Sequence, residues 1–289
     1  MDGAPKILLN EPSLWLSKLP VVDSSSNKYT RGHALIFGGY PMTGAARLAA
    51  RACARMGAGL TTIAVEPRAL DVYARQLESI MVRAVEDDDD VRKTLADDRI
   101  TAVLIGPGIG VGRRTRRLVE LILDAKKPAV VDADALTSFA DDPSALFARL
   151  SDQCVLTPHE GEFARVFSLT GSRIDRVSAA ARASGAVVLL KGAKTLIAHP
   201  DGSIIENPTA SPHLATAGSG DVLAGLTIGL LAQGMAPLDA ASAGLWIHSK
   251  IGLALGIGLI ADDMADQVPS IRARLEQMQL GQFLDEKGN

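Results

Sequence analysis

From about residue 34 onward, short unbroken apolar runs alternate with longer stretches of helical periodicity. Ala34 to Phe37, Leu60 to Val65, Ala102 to Ile105, Ala129 to Val131, Val155-Leu156 and Val187 to Leu190 are such runs. Each is too short for a helix and is closed by glycine, proline or charge, which predicts buried strands. Thr43 to Met56 carries Arg47, Arg51 and Arg55 on one face and ends at Gly57, a helix with its stop signal. A second helix is predicted from about Arg113 to Ala125, and the chain is mostly helical from Gly220 on. Thr195 to Ala198 and Ser203 to Ile205 flank Pro200-Asp201-Gly202, a hairpin signal. Thr157-Pro158-His159-Glu160 reads as a helix start, with Thr157 as cap and proline in the first turn. The alternation predicts an α/β fold with a largely parallel central sheet and helices on both faces. No linker divides it, so residues 1–289 are expected to form a single domain, the first ~25 being a lead-in that ends in Ser24-Ser25-Ser26-Asn27.

Composition narrows the classes. Hydrophobic residues make up 47% of the 289, ample for a core, and aromatics only 4%, which argues against an aromatic nucleic-acid platform. A net charge of -3 gives no electrostatic reason to expect nucleic acid or an anionic membrane as partner. Residues 222–238 lack charge, but Gln233, Gly234 and Pro237 interrupt them, favouring buried helices over a membrane span. Cys53 and Cys154, without paired Cys or His spacing, read as reduced core thiols and not as zinc ligands. With no secretory signal visible, a cytoplasmic protein is expected.

The chemistry concentrates in glycine-rich or charged loops at predicted strand ends, where folds of this class bind ligands. Gly218, Ser219 and Gly220 form a tight turn before a long apolar helix, so their N–H groups and the helix dipole make an anion hole. Asp221 beside that hole is either a helix cap or a general base facing a substrate hydroxyl. At its reference pKa near 3.9 it would be ionised at neutral pH unless burial raises it. Lys191-Gly192-Ala193-Lys194-Thr195 reads either as a phosphate-reaching loop or as a hairpin with solvated lysines. His159 could hydrogen-bond a substrate through either ring nitrogen, or be a satisfied histidine of a first turn. Asp132 and Asp134, two apart at a strand end, share a face and either orient substrate, hold a magnesium–phosphate complex or are solvated. Asp87-Asp88-Asp89-Asp90 reads as a solvated connection.

Standard nucleotide fingerprints fail. Gly39 to Gly44 has P-loop spacing, but Ala45-Ala46 stands where lysine and a hydroxyl residue are needed. Gly106-x-Gly108 opens like a dinucleotide turn, yet Val111 takes the third glycine position.

Nine ordered pieces between about residues 27 and 265 carry a resemblance. They are Asn27-Lys28 with Gly32, Gly38-Gly39 with Thr43-Gly44-Ala45-Ala46, Gly57-Ala58-Gly59-Leu60, Gly106-Pro107-Gly108-Ile109-Gly110 and Asp132-Ala133-Asp134-Ala135-Leu136. Then follow Leu156-Thr157-Pro158-His159-Glu160-Gly161-Glu162-Phe163, Lys191 to Thr195, Ala215 to Gly225, and Leu230-Leu231-Ala232-Gln233-Gly234. Together they resemble the NAD(P)H-hydrate dehydratase family of the ribokinase-like superfamily, in its stand-alone form. The resemblance implies a chain without the epimerase domain that is fused ahead of it in many relatives. Ser219 stands where threonine is frequent, and Ala210-Ser211-Pro212-His213 replaces a more glycine-rich stretch, so no substrate contact is carried over there.

The resemblance implies an ADP- or ATP-dependent lyase for metabolite repair, with Mg2+ entering on the nucleotide phosphates and no metal ligands of its own. It would convert NADHX and NADPHX to NADH and NADPH by phosphorylating the 6-hydroxyl and eliminating phosphate. By resemblance Lys191, Gly192, Ala193, Lys194, Thr195 and Gly220 contact the nucleotide. Ala45, Gly110, His159 and Asp221 contact the hydrate, Asp221 as catalytic base over the anion hole of Gly218, Ser219 and Gly220. A separate NAD(P)H-hydrate epimerase is the implied partner, and a homotetramer the implied assembly. The alternatives are a ribokinase-like small-molecule kinase, of the hydroxymethylpyrimidine or thiazole-alcohol type, and a non-catalytic nucleotide-binding regulator.

Overall fold

The structure, a computed structural model, describes residues 7–208 and 211–287. Its strands are β1 (Ile7–Leu9), β2 (His33–Phe37), β3 (Leu60–Val65), β4 (Met81–Ala84), β5 (Ala102–Ile105), β6 (Ala129–Val131), β7 (Cys154–Leu156), β8 (Val187–Leu190), β9 (Thr195–Ala198) and β10 (Ile204–Asn207). The helices are α1 (Thr43–Met56), α2 (Leu70–Ala74), α3 (Asp88–Leu95), α4 (Arg113–Asp124), α5 (Ala133–Thr137), α6 (Pro143–Phe147), α7 (Glu160–Val166), α8 (Arg173–Ser184), α9 (Ser219–Ala232), α10 (Pro237–Leu255) and α11 (Ala261–Lys287).

The strands form one sheet in the order β1-β10-β9-β8-β7-β6-β5-β2-β3-β4. Among the described residues only β9 runs against the rest, because the β8–β9 and β9–β10 pairings are antiparallel and the other pairings are parallel. The expected α/β architecture is therefore present. Alternation along the central strands splits the core in two. Ala34, Ile36, Ala102 and Leu104 pack with α1, α9 and α10 on one face, while Leu35, Phe37, Val103 and Ile105 pack with α3, α4 and α8 on the other. Helix α9 is buried continuously from Val222 to Ala232, which explains its uncharged sequence. Among the described residues no helix is long and apolar enough to cross a membrane.

Several expectations need correction. The lead-in is part of the core: β1 pairs with β10, and Trp15, Leu16 and Leu19 are buried. Edge strand β4 was hidden because its residues are exposed or half-buried and Arg83 interrupts the apolar run. The aspartate run is the start of α3, not a bare connection, with the Asp87 carboxylate accepting from the N–H groups of Asp89 and Asp90. The helix after β7 begins at Glu160 with His159 as its cap, not Thr157. The chain stays extended through Pro158, whose carbonyl accepts from Lys191 N–H at 2.9 Å, so pairing with β8's extension overrides the local cap signal. Ala210 lies outside the described residues. Ser211 is buried and its hydroxyl accepts from His213 N–H.

Because the parallel strands point one way, their carboxyl ends share an edge. The order β5-β2-β3 also puts a topological switch between β2 and β5 at that edge, the usual ligand crevice of such sheets.

Candidate active site

Helix α9 starts at the middle of this edge. Gly218 is its cap, in the left-handed region at φ 85 that glycine adopts without strain. Asp221 is then the third helical residue, and its carboxylate makes no hydrogen bond among the described residues, so the cap reading is rejected. The N–H groups of Gly220 and Asp221 likewise have no acceptor among the described residues. Two orphan donors and a helix dipole therefore point at the same opening as a carboxylate.

Around that carboxylate lies an acidic nest with, among the described residues, one cation. Lys191, directly after β8, places Nζ 3.0 Å from Asp132 Oδ1 and 3.9 Å from Glu162 Oε2. A Cβ on Gly220 would lie 3.4 Å from the same Nζ, so the ammonium sits beside the start of α9. Lys191 is no solvated hairpin residue. Burial opposes its charge, but Asp132, Glu162 and Asp221 outweigh this and raise its pKa above the ordinary value. Asp221 is pushed up to about 7, chiefly by burial and then by Asp132, with Lys191 opposing and Asp134 and Glu162 adding. Full ionisation at neutral pH, expected from the reference value, therefore does not hold.

Asp132 and Asp134 do not share a strand face, because the strand ends at Val131. Asp132 is the buried residue before α5 and turns to Lys191, whereas Asp134 lies inside α5 and accepts from Gly110 N–H at 2.8 Å. Between them Ala133 is held at φ 47. Such left-handed backbone costs a non-glycine residue on the order of 1–3 kcal/mol, and strain of this kind concentrates at functional sites.

His159 joins the nest through its cap role. Its Nδ1 accepts from Gly161 and Glu162 N–H, which leaves the proton of a neutral ring on Nε2, 3.3 Å from Glu162 Oε1. Glu162 in turn accepts from His159 N–H at 2.9 Å. Nδ1 is thus unavailable to a substrate, though more than half of the His159 side chain is exposed.

Of the 191–195 loop only Lys191 enters the nest. Thr195 uses its hydroxyl to close the turn on Gly192 N–H and carbonyl, Ala193 is exposed, and Lys194 is exposed and 3.8 Å from Glu206. Ala45 and Gly110 stand apart, on the β2–β5 side. There a Cβ on Gly39 would fall 1.8 Å from the Gly108 carbonyl oxygen, and one on Gly108 would lie 3.1 Å from Ala45 Cβ. Only bare backbone lets these two loops meet.

Three residues had no chemical role in the sequence reading. Glu162, inside the Thr157–Phe163 motif, is the buried acid that couples His159 to Lys191. Arg173 donates to the carbonyls of Leu190, Lys191 and Lys194 and pairs with Glu160, fixing the loop from behind. His248, buried and with its pKa pushed down to about 4 by burial, places Nε2 at 2.9 Å from the Ser219 carbonyl and 3.0 Å from its hydroxyl. A carbonyl can only accept, so Nε2 carries the proton, and the Ser219 hydroxyl keeps its own hydrogen to donate. Nothing local marks His248, 29 residues further on. Among the described residues no three His, Cys, Asp or Glu side chains converge to hold a metal.

Residues 34–266 match the family model described as NAD(P)H-hydrate dehydratase. The chain is 39% identical over 283 residues to the bifunctional NAD(P)H-hydrate repair enzyme Nnr of Moorella thermoacetica, covering 90% of this chain and 53% of that protein. It thus spans about half the length of such bifunctional relatives. It is 35% identical over 266 residues to the ADP-dependent (S)-NAD(P)H-hydrate dehydratase of Neisseria meningitidis, covering 86% and 88% of the two chains. A solved structure of the ADP/ATP-dependent NAD(P)H-hydrate dehydratase of Bacillus subtilis, co-crystallised with ATP/Mg2+, superposes with a TM-score of 0.79 at 26% identity, covering 94% of this chain and all of that one.

Proposed function

The chain belongs to the NAD(P)H-hydrate dehydratase family, and we propose that it restores NADH and NADPH from their 6-hydroxy hydrates at the cost of ADP or ATP. The observation that carries this is the lone Asp221 carboxylate, free of hydrogen bonds among the described residues and facing a lysine ammonium across an open helix start. A carboxylate there does not suit a passive phosphate site, since it repels the phosphate. It suits a base that removes a proton from a hydroxyl about to be phosphorylated.

Asp221 takes the proton of the hydrate's 6-hydroxyl, whose oxygen attacks the terminal phosphorus of the nucleotide. Lys191 Nζ and the N–H groups of Gly220 and Asp221 stabilise the charge on the transferring phosphoryl group, while the Ser219 hydroxyl donates to it. The ring nitrogen's electron pair then expels phosphate, and loss of the neighbouring ring proton restores the dihydropyridine. A pKa of about 7 fits this role, because the base is a stronger acceptor than an ordinary aspartate and still substantially ionised at neutral pH. Magnesium arrives as part of the nucleotide co-substrate, as it usually does when phosphates supply most of its oxygens. In this reading the 191–195 loop and Gly220 receive the nucleotide, and Ala45, Gly110 and His159 border the hydrate. A separate NAD(P)H-hydrate epimerase, a homotetrameric assembly and a cytoplasmic setting belong to the same proposal.

Purified protein with magnesium and ADP or ATP should convert NADHX or NADPHX to the reduced cofactor and release one phosphate per molecule formed. Absorbance at the reduced-nicotinamide band, beside a phosphate assay, reads both. A folded protein that yields no reduced cofactor with either nucleotide sinks the proposal.

A further inference from the structure

The glycine side of the site borders a cavity of about 410 Å3, reaching from Gly38-Gly39 and Gly110 to the ends of β3 and β4. The volume lies within the range of small-molecule sites. Its floor is apolar, with Phe37 and Val91 buried beneath it. Its rim near Gly110 is basic: Arg68, Arg113 and Arg114 stand there against the single carboxylate of Glu66. Arg68 and Arg114 both pair with Glu66, and Arg113 makes no ion pair among the described residues. The acids Glu86, Asp87 and Asp88 line the outer end, after β4. There Asp88 is held by Arg117 at 2.7 Å and Asp87 caps α3.

The arginines also run against helix electrostatics. Arg113 and Arg114 open α4, whose first turn holds no acid, although the positive end of a helix dipole favours acids. Arg68 and Arg114 are largely exposed, so their pairs with Glu66 contribute little and can be redirected to a ligand. The Arg68 guanidinium lies 4.9 Å from the ring centroid of half-exposed Tyr40, a flat surface of the kind on which a base stacks.

Topology says which part of a ligand arrives there. The cavity's inner edge is Gly110, whose N–H is held by Asp134, a carboxylate that also raises the Asp221 pKa. From Asp132 after β6 to Glu66 after β3 is three strand steps, roughly 14 Å at the usual spacing. The nucleotide end, at Lys191 after β8, lies the opposite way. A dinucleotide with its reacting ring at Asp221 must lay its other half along the edge away from Lys191, and this cavity is where that path leads.

We propose that the cavity receives the remote nucleotide of the dinucleotide hydrate, with Arg68, Arg113 and Arg114 binding its phosphates. This deepens the dehydratase reading and rests on it. The probe is NADPH, which carries the same remote half and does not react, titrated calorimetrically into wild type, Arg114→Ala, Arg68→Ala/Arg114→Ala and Arg114→Lys.

The double variant should weaken NADPH about ten- to hundredfold, the loss of one or two charge-assisted contacts, and leave ADP binding within about twofold. Arg114→Ala alone keeps Arg68 on Glu66 and guards against misfolding, with a loss of about three- to tenfold. Arg114→Lys should recover part of it, because lysine keeps the charge but not the fork. In turnover the hydrate's KM should rise with kcat little changed. An equal loss for NADH assigns the arginines to the diphosphate, and a loss confined to NADPH assigns them to its 2′-phosphate. Unchanged NADPH affinity in a folded double variant overturns the proposal, as does an equal loss of ADP. Wild type that binds NADPH through these arginines yet makes no reduced cofactor would keep the cavity and remove the dehydratase reading.

Discussion

From β6 to β8 the carboxyl edge of the sheet is crowded with charge: buried Asp132 and Glu162 flank the part-buried Lys191, and Asp221 faces them. From β2 to β5 the same edge is lined by bare backbone, where Gly39 and Gly108 approach so closely that no side chain fits between them. One half tunes the protonation of reacting groups, the other shapes a space. A reaction that moves a proton and a phosphoryl group on a large substrate needs both. In the charged half, Asp132, Glu162 and Asp221 raise the pKa of Lys191, and Lys191 opposes the rise at Asp221, while the arginines beyond the glycine half sit at an exposed rim. Changes in the first should alter kcat and the nucleotide, and changes at that rim should alter only the hydrate's KM.

The largest effect is expected from Asp221→Asn. The amide keeps the shape, and since the carboxylate makes no hydrogen bond among the described residues, none is lost. Without a base, single-turnover NADH formation should fall by roughly 10²–10⁴. In wild type the kcat/KM profile should rise with pH and level off above about 7, because the base must be ionised. Near-normal turnover in the variant would reduce Asp221 to a bystander.

Lys191→Met comes next and strikes the charged half at the one cation it holds among the described residues. Nucleotide affinity should drop about ten- to hundredfold, as expected for a lost charge-assisted phosphate contact of roughly 1.5–3 kcal/mol. Because Lys191 is the group that lowers the Asp221 pKa, the rising limb of the pH profile should also move to higher pH. Asp132, left buried without its partner, should cost stability as well. An unshifted limb in a folded variant would uncouple the two residues and leave the charged half without its central contact.

The two halves were unequally legible in the sequence. Strands β3, β5, β6 and β8 and helix α1 match their expected bounds, because apolar runs closed by glycine or charge leave little freedom. The glycine loops were readable for the same reason, since backbone that must approach backbone needs glycine. The charged half depends on distance in space. Asp132 and Lys191 are 59 residues apart, and no local pattern says that one carboxylate will be ion-paired and another left alone. His159 was visible, but its job as a cap follows from the pairing of Pro158 with Lys191, a tertiary fact. Arg68, just after β3, and Arg114, in the first turn of α4, meet on Glu66 from distant parts of the chain and were invisible for the same reason.

The smallest effect concerns the energy held in the charged half. Burial and neighbouring carboxylates raise Asp221 from 3.8 to about 7 in the folded chain, while the unfolded chain keeps the ordinary value. Between those values the folded state holds a proton that the unfolded state has lost, so stability falls as pH climbs through that window. Below about pH 4 both states are protonated and the group contributes nothing to the slope. Above about 7 both are ionised and the full cost is present. Asparagine does not titrate, so Asp221→Asn should melt progressively higher than wild type as pH rises from 4.5 to 8. For a half-buried group screened by solvent the gain is on the order of 1 kcal/mol, or roughly 2 °C for a chain of this size. Scanning calorimetry of both proteins at pH 4.5, 6 and 8 measures it. Parallel melting curves at all three values would mean that the folded protein does not strain this carboxylate, and that its readiness to take a proton has another source.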